Sequence, residues 1–156
     1  MLIRLFDIIV SIIVIIVLLI PSIFICFLLK ITGEGEIFFI QKRVGKDKKI
    51  FKVIKFATML KDSPKIGTKE VTLKHDERVL PIGRLLRKFK INELPQFLNV
   101  LLGNMSVIGP RPQTLDCFEA YPNSLQDIVA KMKPGISGIG SIVFCNEEIY
   151  LTDVRN

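Results

Sequence analysis

Residue types that common catalytic sites depend on are missing or scarce in this sequence. It has no Trp and one His among 156 residues. Because His75 stands alone in a polar stretch, a zinc site or a His-based triad has almost nothing to build on. The absence of Trp leaves few aromatic platforms for stacking single-stranded nucleic acid. The motifs GxxxxGK[ST], GxGxxG and GxSxG are also missing, which removes the common phosphate loops and the nucleophile elbow.

Cysteine is present, but not in a pattern that builds structure. Cys26, Cys117 and Cys145 form an odd and widely spaced set, and no CxxC pair occurs. A disulfide framework and a cysteine metal site are therefore not expected. This usage favours a reducing cytoplasmic setting for the part of the chain that lies in water.

One long apolar segment stands out near the start of the chain. Residues 8–29 contain only three positions outside the hydrophobic set, Ser11, Pro21 and Ser22. This segment is too long for the apolar core of a signal peptide. As a helix it would measure about 33 Å, enough to cross a hydrocarbon layer of about 30 Å. The segment predicts a membrane anchor over residues 1–31.

Two features argue against a simple transmembrane span. Pro21 followed by Ser22 lies well inside the apolar run, where proline removes a backbone hydrogen bond and favours a bend. Cations also flank both ends, with Arg4 before the run and Lys30 after it. The positive-inside rule favours a cytoplasmic C-terminal domain, and Arg4 makes export of the N-terminus less favourable. A re-entrant helix would satisfy both ends. The residues alone leave a kinked span and a re-entrant helix both open.

The remaining residues, 32–156, predict a small basic domain of the α+β class, mostly helical. Lys plus Arg number 22 against 15 Asp plus Glu, a net charge of +7. Residues 37–41 and 50–56 predict a short β-hairpin that turns through Gly45. Residues 80–89 predict an amphipathic helix. A second helix is expected over residues 93–102, with Asn92 as its N-cap.

The basic charge and two single residues indicate what this domain could bind. A membrane-tethered nucleic-acid binder has only the +7 charge in its favour, because no recognition motif accompanies it. Arg111 is held between Pro110 and Pro112, which aims its guanidinium, a planar group that suits phosphate. Glu93 starts a helix and is available to a divalent metal. The alternative is a rigid turn whose arginine is merely solvated.

The motifs together closely resemble the bacterial sugar transferases, the small monotopic phosphoglycosyl transferases. The resemblance covers roughly residues 1–145, in blocks that follow one another in the family's order. The blocks are QKRVG at 41–45, FK at 51–52, KF at 55–56, GRLLR at 83–87, ELPQ at 93–96, NV at 99–100, GNMSVIGPRP at 103–112 and KPGISG at 133–138.

The resemblance implies a fold, a reaction and a location. The N-terminal helix is expected to be re-entrant, with its break at Pro21 and Ser22. The expected reaction moves the phosphosugar of a UDP-sugar to undecaprenyl phosphate, with Mg²⁺, at the start of capsule, O-antigen or exopolysaccharide assembly. The catalytic domain would lie on the cytoplasmic face of the bacterial inner membrane, in contact with its lipids. Nucleic acid is not an expected partner; the oligomeric state stays open, a homodimer being one alternative.

Site residues follow from the resemblance position by position. Glu93 matches the glutamate that contacts Mg²⁺ in the family. Lys55, Arg87 and Arg111 match basic residues that hold the phosphates. The chain also departs from the family, since Ala57 stands where arginine is usual and the sequence stops soon after the KPGISG block.

Asn92 is the departure with the largest chemical consequence. It stands where the family's usual pattern has a nucleophilic aspartate, and an amide cannot form the acyl phosphate of a covalent route. Four interpretations stay open: Glu93 acts as nucleophile, the acceptor phosphate attacks directly, the chain is an inactive binding or scaffold protein, or the Asn is an introduced substitution. We expect the Asn92→Asp change to raise transferase activity, or at least not to lower it.

Overall fold

A computed structural model describes residues 1–63 and 76–138. About half of these residues are helical, and two small sheets accompany the helices. In chain order the elements are α1 (Leu2–Thr32), β1 (Phe38–Val44), β2 (Ile50–Phe56), α2 (Pro81–Lys88), α3 (Gln96–Leu101), β3 (Ser106–Ile108), α4 (Leu115–Glu119), α5 (Asn123–Ala130) and β4 (Gly135–Ser137). The prediction of a mixed α+β chain with an N-terminal apolar helix and a small hairpin is confirmed.

The first helix, α1, is long and apolar enough to cross a membrane. Its helical assignment continues through Pro21 and Ser22. Most of its surface is exposed, and the fully buried positions are Asp7, Ser11 and Leu29. These positions lie near its two ends, because both ends of α1 pack on the rest of the chain.

The hairpin β1–β2 is antiparallel and longer than the sequence predicted for its first strand. Its register pairs Gln41 with Val53 and Arg43 with Phe51. Side chains alternate between two faces of a strand, so Gln41, Arg43, Val53 and Lys55 share the inward face. The turn between the strands is a short 3-10 helix with Asp47 at φ 55.

The predicted amphipathic helix is α2, and the second predicted helix differs from expectation at its start. Residues Ile91–Glu93 form a 3-10 helix, and α3 begins only at Gln96. Asn92 therefore does not cap α3, and its Oδ1 accepts no hydrogen bond from the described residues. Pro95 occupies the residue before α3, where a missing backbone N–H costs nothing.

The proline and glycines of the KPGISG block predict a loop, but the block contributes a strand. Its β4 pairs in parallel with β3, with Ser106 opposite Gly135 and Ile108 opposite Ser137. The two backbones approach so closely that a Cβ on Gly135 would lie 2.1 Å from the Gly109 nitrogen. Glycine is therefore required there by space, and the GPRP turn that follows β3 is pressed against β4.

Three small hydrophobic clusters hold these elements together. Leu29 of α1 joins Phe56 and Leu86 in one of them. A second joins Val44 to Phe118 and Ala130, and a third joins Val53, Val100 and Met105. The third cluster is reinforced by Asn99, whose amide bridges α3 to β2 by accepting from Ile54 N at 3.1 Å and donating to Lys52 O at 2.7 Å.

Some sequence predictions fall outside the described residues. They include His75, Cys145 and most of the loop expected between Lys61 and Thr72. Where the chain is described, Cys26 is half-buried and Cys117 is exposed. The stretch from Cys117 to Met132, predicted to be weakly helical, contains most of α4 and all of α5.

Candidate functional site

A polar cleft opens between the hairpin, the start of α3 and the β3–β4 pair. Three cations and one carboxylate contribute to its walls, together with a buried amide. The lining residues are Arg43, Val53, Lys55, Glu93, Gln96, Arg111, Pro112, Gly135 and Ile136. Segments that are far apart in the sequence therefore supply one cationic surface. Such a surface suits a ligand with several negative charges.

The hairpin explains two of these cations. Arg43 and Lys55 lie on neighbouring strands and on the same inward face, because their positions share the alternation that buries Val53. Arg43 is braced by donating to Gln41 Oε1 at 2.5 Å and to Pro112 O at 3.3 Å. The second bond ties the hairpin to the turn that contains Arg111.

Lys55 and Glu93 form an ion pair inside the cleft. Lys55 Nζ lies 3.3 Å from Glu93 Oε1, and the two side chains are 23% and 22% exposed. Burial is the main reason why the pKa of Lys55 is lowered; Glu93 acts in the opposite direction, and the charges of Arg111 and Arg43 add to the lowering. The fold therefore holds several positive charges closer together than they would lie in the unfolded chain.

Glu93 responds to the same neighbours in the opposite sense. Burial by itself would raise the pKa of its carboxyl, but the positive charges of Lys55 and Arg111, the hydrogen bond from Lys55 and the charge of Lys90 outweigh it. The pKa of Glu93 is lowered as a result. Glu93 is thus a stable anion near neutral pH, available to a cation rather than to proton transfer.

Arg111 lies in the cleft as predicted, at an exposed position in the GPRP turn. Arg87 is not among the residues that line the cleft. Its guanidinium Nη1 lies 3.7 Å from the sulfur of Met59. The structure thus brings Lys55, Glu93 and Arg111 together, and it places Arg87 outside that group.

Asn92 lies beside the cleft rather than on its wall. It is 7% exposed, in the 3-10 helix that ends at Glu93. Its Oδ1 is buried and has no hydrogen-bond partner among the described residues. An unpaired buried acceptor normally costs free energy, about 1 to 3 kcal/mol. Such an atom suits a site that a bound donor or cation completes.

Two lining residues were not singled out from the sequence. Arg43 and Gln96 belong to the QKRVG and ELPQ blocks, but no role was assigned to them. The signal for Arg43 was available, since two-residue alternation from Lys55 through the paired strands places it on the same face. For Gln96, which is buried at the start of α3, the sequence offers no comparable signal.

The residues present fit Mg²⁺ only in one arrangement. No cluster of three or more carboxylate, His or Cys ligands occurs in the part of the chain that the structure describes. Glu93 is the carboxylate of the cleft, and the unpaired Asn92 Oδ1 lies next to it in sequence. Mg²⁺ is commonly held by one or two carboxylates together with substrate phosphates. Glu93 fits that role when the remaining ligands come from a phosphate group.

Comparison with known proteins relates the chain to one family of transferases. The family model described as "Bacterial sugar transferase" matches residues 1–155. A UDP-glucose:undecaprenyl-phosphate glucose-1-phosphate transferase of Klebsiella pneumoniae is 40% identical over 143 residues, 89% of this chain and 30% of its own length. A UDP-N-acetylgalactosamine-undecaprenyl-phosphate N-acetylgalactosaminephosphotransferase of Aeromonas hydrophila is 37% identical over 118 residues, 74% of this chain and 28% of its own.

A shorter relative is covered more completely. The exopolysaccharide production protein ExoY of Sinorhizobium fredii is 32% identical over 167 residues, which are 97% of this chain and 73% of that protein. The chain spans less than a third of the length of the two transferases above. The family model nevertheless matches residues 1–155, a range that includes every block noted in the sequence. The chain belongs to the bacterial sugar transferase family.

Proposed function

We propose that this chain transfers a sugar 1-phosphate from a UDP-sugar to undecaprenyl phosphate, releasing UMP, in the assembly of a bacterial surface polysaccharide. The observation that carries the proposal is the cleft in which Arg43, Lys55 and Arg111 surround Glu93. A diphosphate and a lipid phosphate together bring several negative charges into one place. Phosphoryl transfer depends mainly on positioning and on neutralising that charge, which is what this cleft offers.

Each cleft residue has a distinct part in this proposal. Arg111 and Arg43 hold phosphate oxygens through planar groups of several N–H donors. Lys55 adds a charge at the same point and keeps Glu93 ionised. Glu93 would hold Mg²⁺ together with the diphosphate, and the metal would supply further neutralisation of the phosphate charge. The part expected for Arg87 would have to be played from outside the cleft lining.

Asn92 bears on the route of the reaction rather than on its class. Because an amide cannot form an acyl phosphate, either Glu93 attacks the phosphorus or the lipid phosphate attacks it directly. The relatives carry names of transferases and exopolysaccharide production proteins, which does not favour an inactive scaffold. Catalysis by one of these two routes is therefore the proposed function.

We also propose that α1 is re-entrant, bent near Pro21 and Ser22. Support comes from the contacts at its two ends. Arg4 donates to Val100 O, while Leu29 belongs to the cluster on which Leu94 packs. A straight helix would separate Arg4 from Leu29 by about 37 Å.

The partner residues at the two ends are close in sequence. Leu94 and Val100 are six residues apart, and even an extended chain of that length spans only about 21 Å. A bend in α1 reconciles the two distances. A re-entrant helix with cations at both ends would hold the domain on the cytoplasmic face of the inner membrane. The cleft would then lie near the depth of a lipid phosphate.

The test of the proposed function is UMP release by the full chain in membranes, with undecaprenyl phosphate, Mg²⁺ and a panel of UDP-sugars. We expect turnover with at least one sugar. Arg111→Ala should lower kcat/KM about 100-fold, because it removes donors to the phosphates. Lys131→Ala removes an exposed cation outside the cleft and serves as the control. UDP-sugar binding without any turnover, or an Arg111→Ala variant as active as the control, would contradict the proposal.

A further inference from the structure

The membrane helix contains a buried carboxylate that the proposed reaction does not use. Asp7 lies in α1 and is 2% exposed, although a buried carboxylate is costly unless it is hydrogen-bonded. Its Oδ1 accepts two hydrogen bonds, from Ser106 Oγ at 2.9 Å and from Val107 N at 2.9 Å. Both donors belong to β3, so Asp7 joins the membrane helix to a strand of the catalytic domain.

Arg4 strengthens the same junction one turn earlier in α1. Its guanidinium donates to Val100 O at 2.5 Å and to Leu101 O at 2.6 Å. These carbonyls lie at the C-terminal end of α3, where backbone oxygens lack partners within the helix. Arg4 and Asp7 thus bind the end of α3 and the start of β3 by hydrogen bonds. One tight turn connects these two elements.

The strand that Asp7 holds leads directly to the cleft. Beyond β3 the chain enters the GPRP turn, and Arg111 of that turn lines the cleft. On its other side β3 pairs with β4, whose Gly135 and Ile136 also line the cleft. Gly135 N donates to Pro110 O at 2.8 Å, which closes the connection between β4 and the turn.

The contacts within this unit leave little room for independent movement. A Cβ on Gly109 would lie 2.4 Å from Lys133 O, and one on Gly135 would lie 2.1 Å from Gly109 N. The turn containing Arg111 therefore moves with β3 and β4, not separately from them. Any displacement of β3 relative to α1 is passed to one wall of the cleft.

We infer that Asp7 is a positioning residue for the phosphate cleft: it fixes β3, and through β3 and the GPRP turn it fixes Arg111 relative to the membrane. The inference rests on the proposed function, and it adds to it a residue of the membrane helix that contacts no substrate. The position of the cleft wall formed by β3, the GPRP turn and β4 would then depend on how α1 lies in the lipid. Asp7 would thus both attach α1 to the domain and position Arg111 in the cleft.

The test compares three variants of the full chain in lipid nanodiscs: Asp7→Leu, Asp7→Asn and Ser11→Ala. Ser11 lies one turn after Asp7 and is also fully buried, but its Oγ has no hydrogen-bond partner among the described residues. Ser11→Ala is thus a matched control for a polar change inside α1. The measurements are the dissociation constant of the UDP-sugar that the wild type uses, kcat and KM for that sugar, and the melting temperature.

We expect Asp7→Leu to weaken UDP-sugar binding and raise its KM about tenfold, because small misplacements of positioned groups cost large factors. These values are measured well below the melting temperature, so that a lower stability alone does not change them. Asp7→Asn retains an oxygen that can accept from Val107 N and Ser106 Oγ, and should remain within about threefold of the wild type. Ser11→Ala should equal the wild type.

The outcomes separate this inference from the proposed function. If the wild type turns over and Asp7→Leu lowers only the melting temperature, with binding and KM unchanged, Asp7 is an anchor and the inference is wrong. A loss in Asp7→Asn as large as in Asp7→Leu would also contradict it, because the charge and not the hydrogen bonds would then matter. If the wild type neither binds nor uses any UDP-sugar, the proposed function fails, and the inference fails with it.

Discussion

Lys55 illustrates how single residues set the chemistry of the cleft. Its ammonium group is partly buried among Arg43, Arg111 and Glu93, and the fold lowers its pKa mainly through that burial. Glu93 has a lowered pKa because the cations outweigh its own burial. Glu93 therefore stays ionised near neutral pH. Because its pKa is lowered, Lys55 loses its proton at a lower pH than an ordinary lysine does.

The pH profile should therefore fall on its alkaline side through Lys55. Deprotonation removes both the ion pair with Glu93 and a phosphate-binding charge, so activity declines as pH rises through the lowered pKa of Lys55. A guanidinium keeps its charge to a higher pH than a lysine ammonium, so this decline should move to higher pH in Lys55→Arg. The measurement is UMP release against pH. An alkaline limb that does not move in Lys55→Arg would exclude Lys55 as its origin.

Asn92 offers a second test at the scale of one residue. Asn92→Asp supplies the missing carboxylate in a side chain of nearly the same shape, and should raise UMP release, or at least not lower it. If the covalent route is restored, phosphorylated protein should accumulate with UDP-sugar alone, as seen by intact-protein mass spectrometry. Asn104→Asp, at an exposed site, is the control for added charge. Lower UMP release in Asn92→Asp would contradict the view of a disabled nucleophile.

At the scale of elements, hydrogen bonds between α3 and β2 hold one wall of the cleft in place. The buried Asn99 amide bonds to Lys52 O and Ile54 N, on the strand that contains Lys55. The parallel β3–β4 pair supplies the opposite wall. Each wall therefore depends on contacts between segments that are distant in sequence.

Asn99→Ala should destabilise the protein by about 2 to 4 kcal/mol, because it leaves a donor and an acceptor of the β2 backbone without partners. Activity per folded molecule should also fall, since β2 positions Lys55. Asn104→Ala truncates an exposed asparagine a few residues further on and should change the stability by less than about 0.5 kcal/mol. Thermal unfolding in detergent measures both. Equal melting temperatures for the two variants would show that the Asn99 bridge contributes nothing.

At the scale of the whole molecule, the attachment of α1 at both ends determines how the domain meets the membrane. The N-terminal end is bound through Arg4 and Asp7, and the C-terminal end through Leu29. Between them the helix exposes apolar side chains on most of its surface. That arrangement suits an anchor that enters the lipid and returns, with both ends beside the same small domain.

Pro21→Leu should alter this topology. Leucine supplies the backbone N–H that proline lacks, so a straight helix becomes favourable inside the apolar run. A straight helix of this length can cross the membrane. We expect a fraction of N-terminal epitope tags to become accessible to protease from outside spheroplasts, whereas the wild-type tag stays protected. Ile23→Leu, an exposed apolar exchange nearby, is the control. Wild-type tags digested from outside would overturn the re-entrant proposal.

Local sequence patterns were enough for several elements. Period-two alternation and a glycine turn predicted the hairpin, and the amphipathic pattern predicted α2 within one residue at each end. The start of α3 was misplaced because Asn92 has the residue type of an N-cap, while the chain continues in a 3-10 helix. The strand β4 was missed because three residues with two small members have no periodicity to detect.

The residues of the cleft were likewise predicted only in part from the sequence. Glu93, Lys55 and Arg111 could be named because motif blocks fix their positions along the chain. Arg87, in an equally clear block, lies outside the cleft lining, while Arg43 and Gln96 join it. Whether a residue lines the cleft depends on the direction of its side chain after packing. Spacing along the chain does not specify this direction.

By itself the sequence determined an apolar anchor, a basic domain and the blocks of its family, because these follow from composition and short-range order. Only the tertiary structure decided that Asp7 meets Ser106, 99 positions away, and that the cations converge on Glu93. The physical reason is that hydrogen bonds and ion pairs act over a few ångströms of space. Which residues come within that distance is set by the path of the whole chain, which brings the membrane anchor and the phosphate cleft into one connected structure.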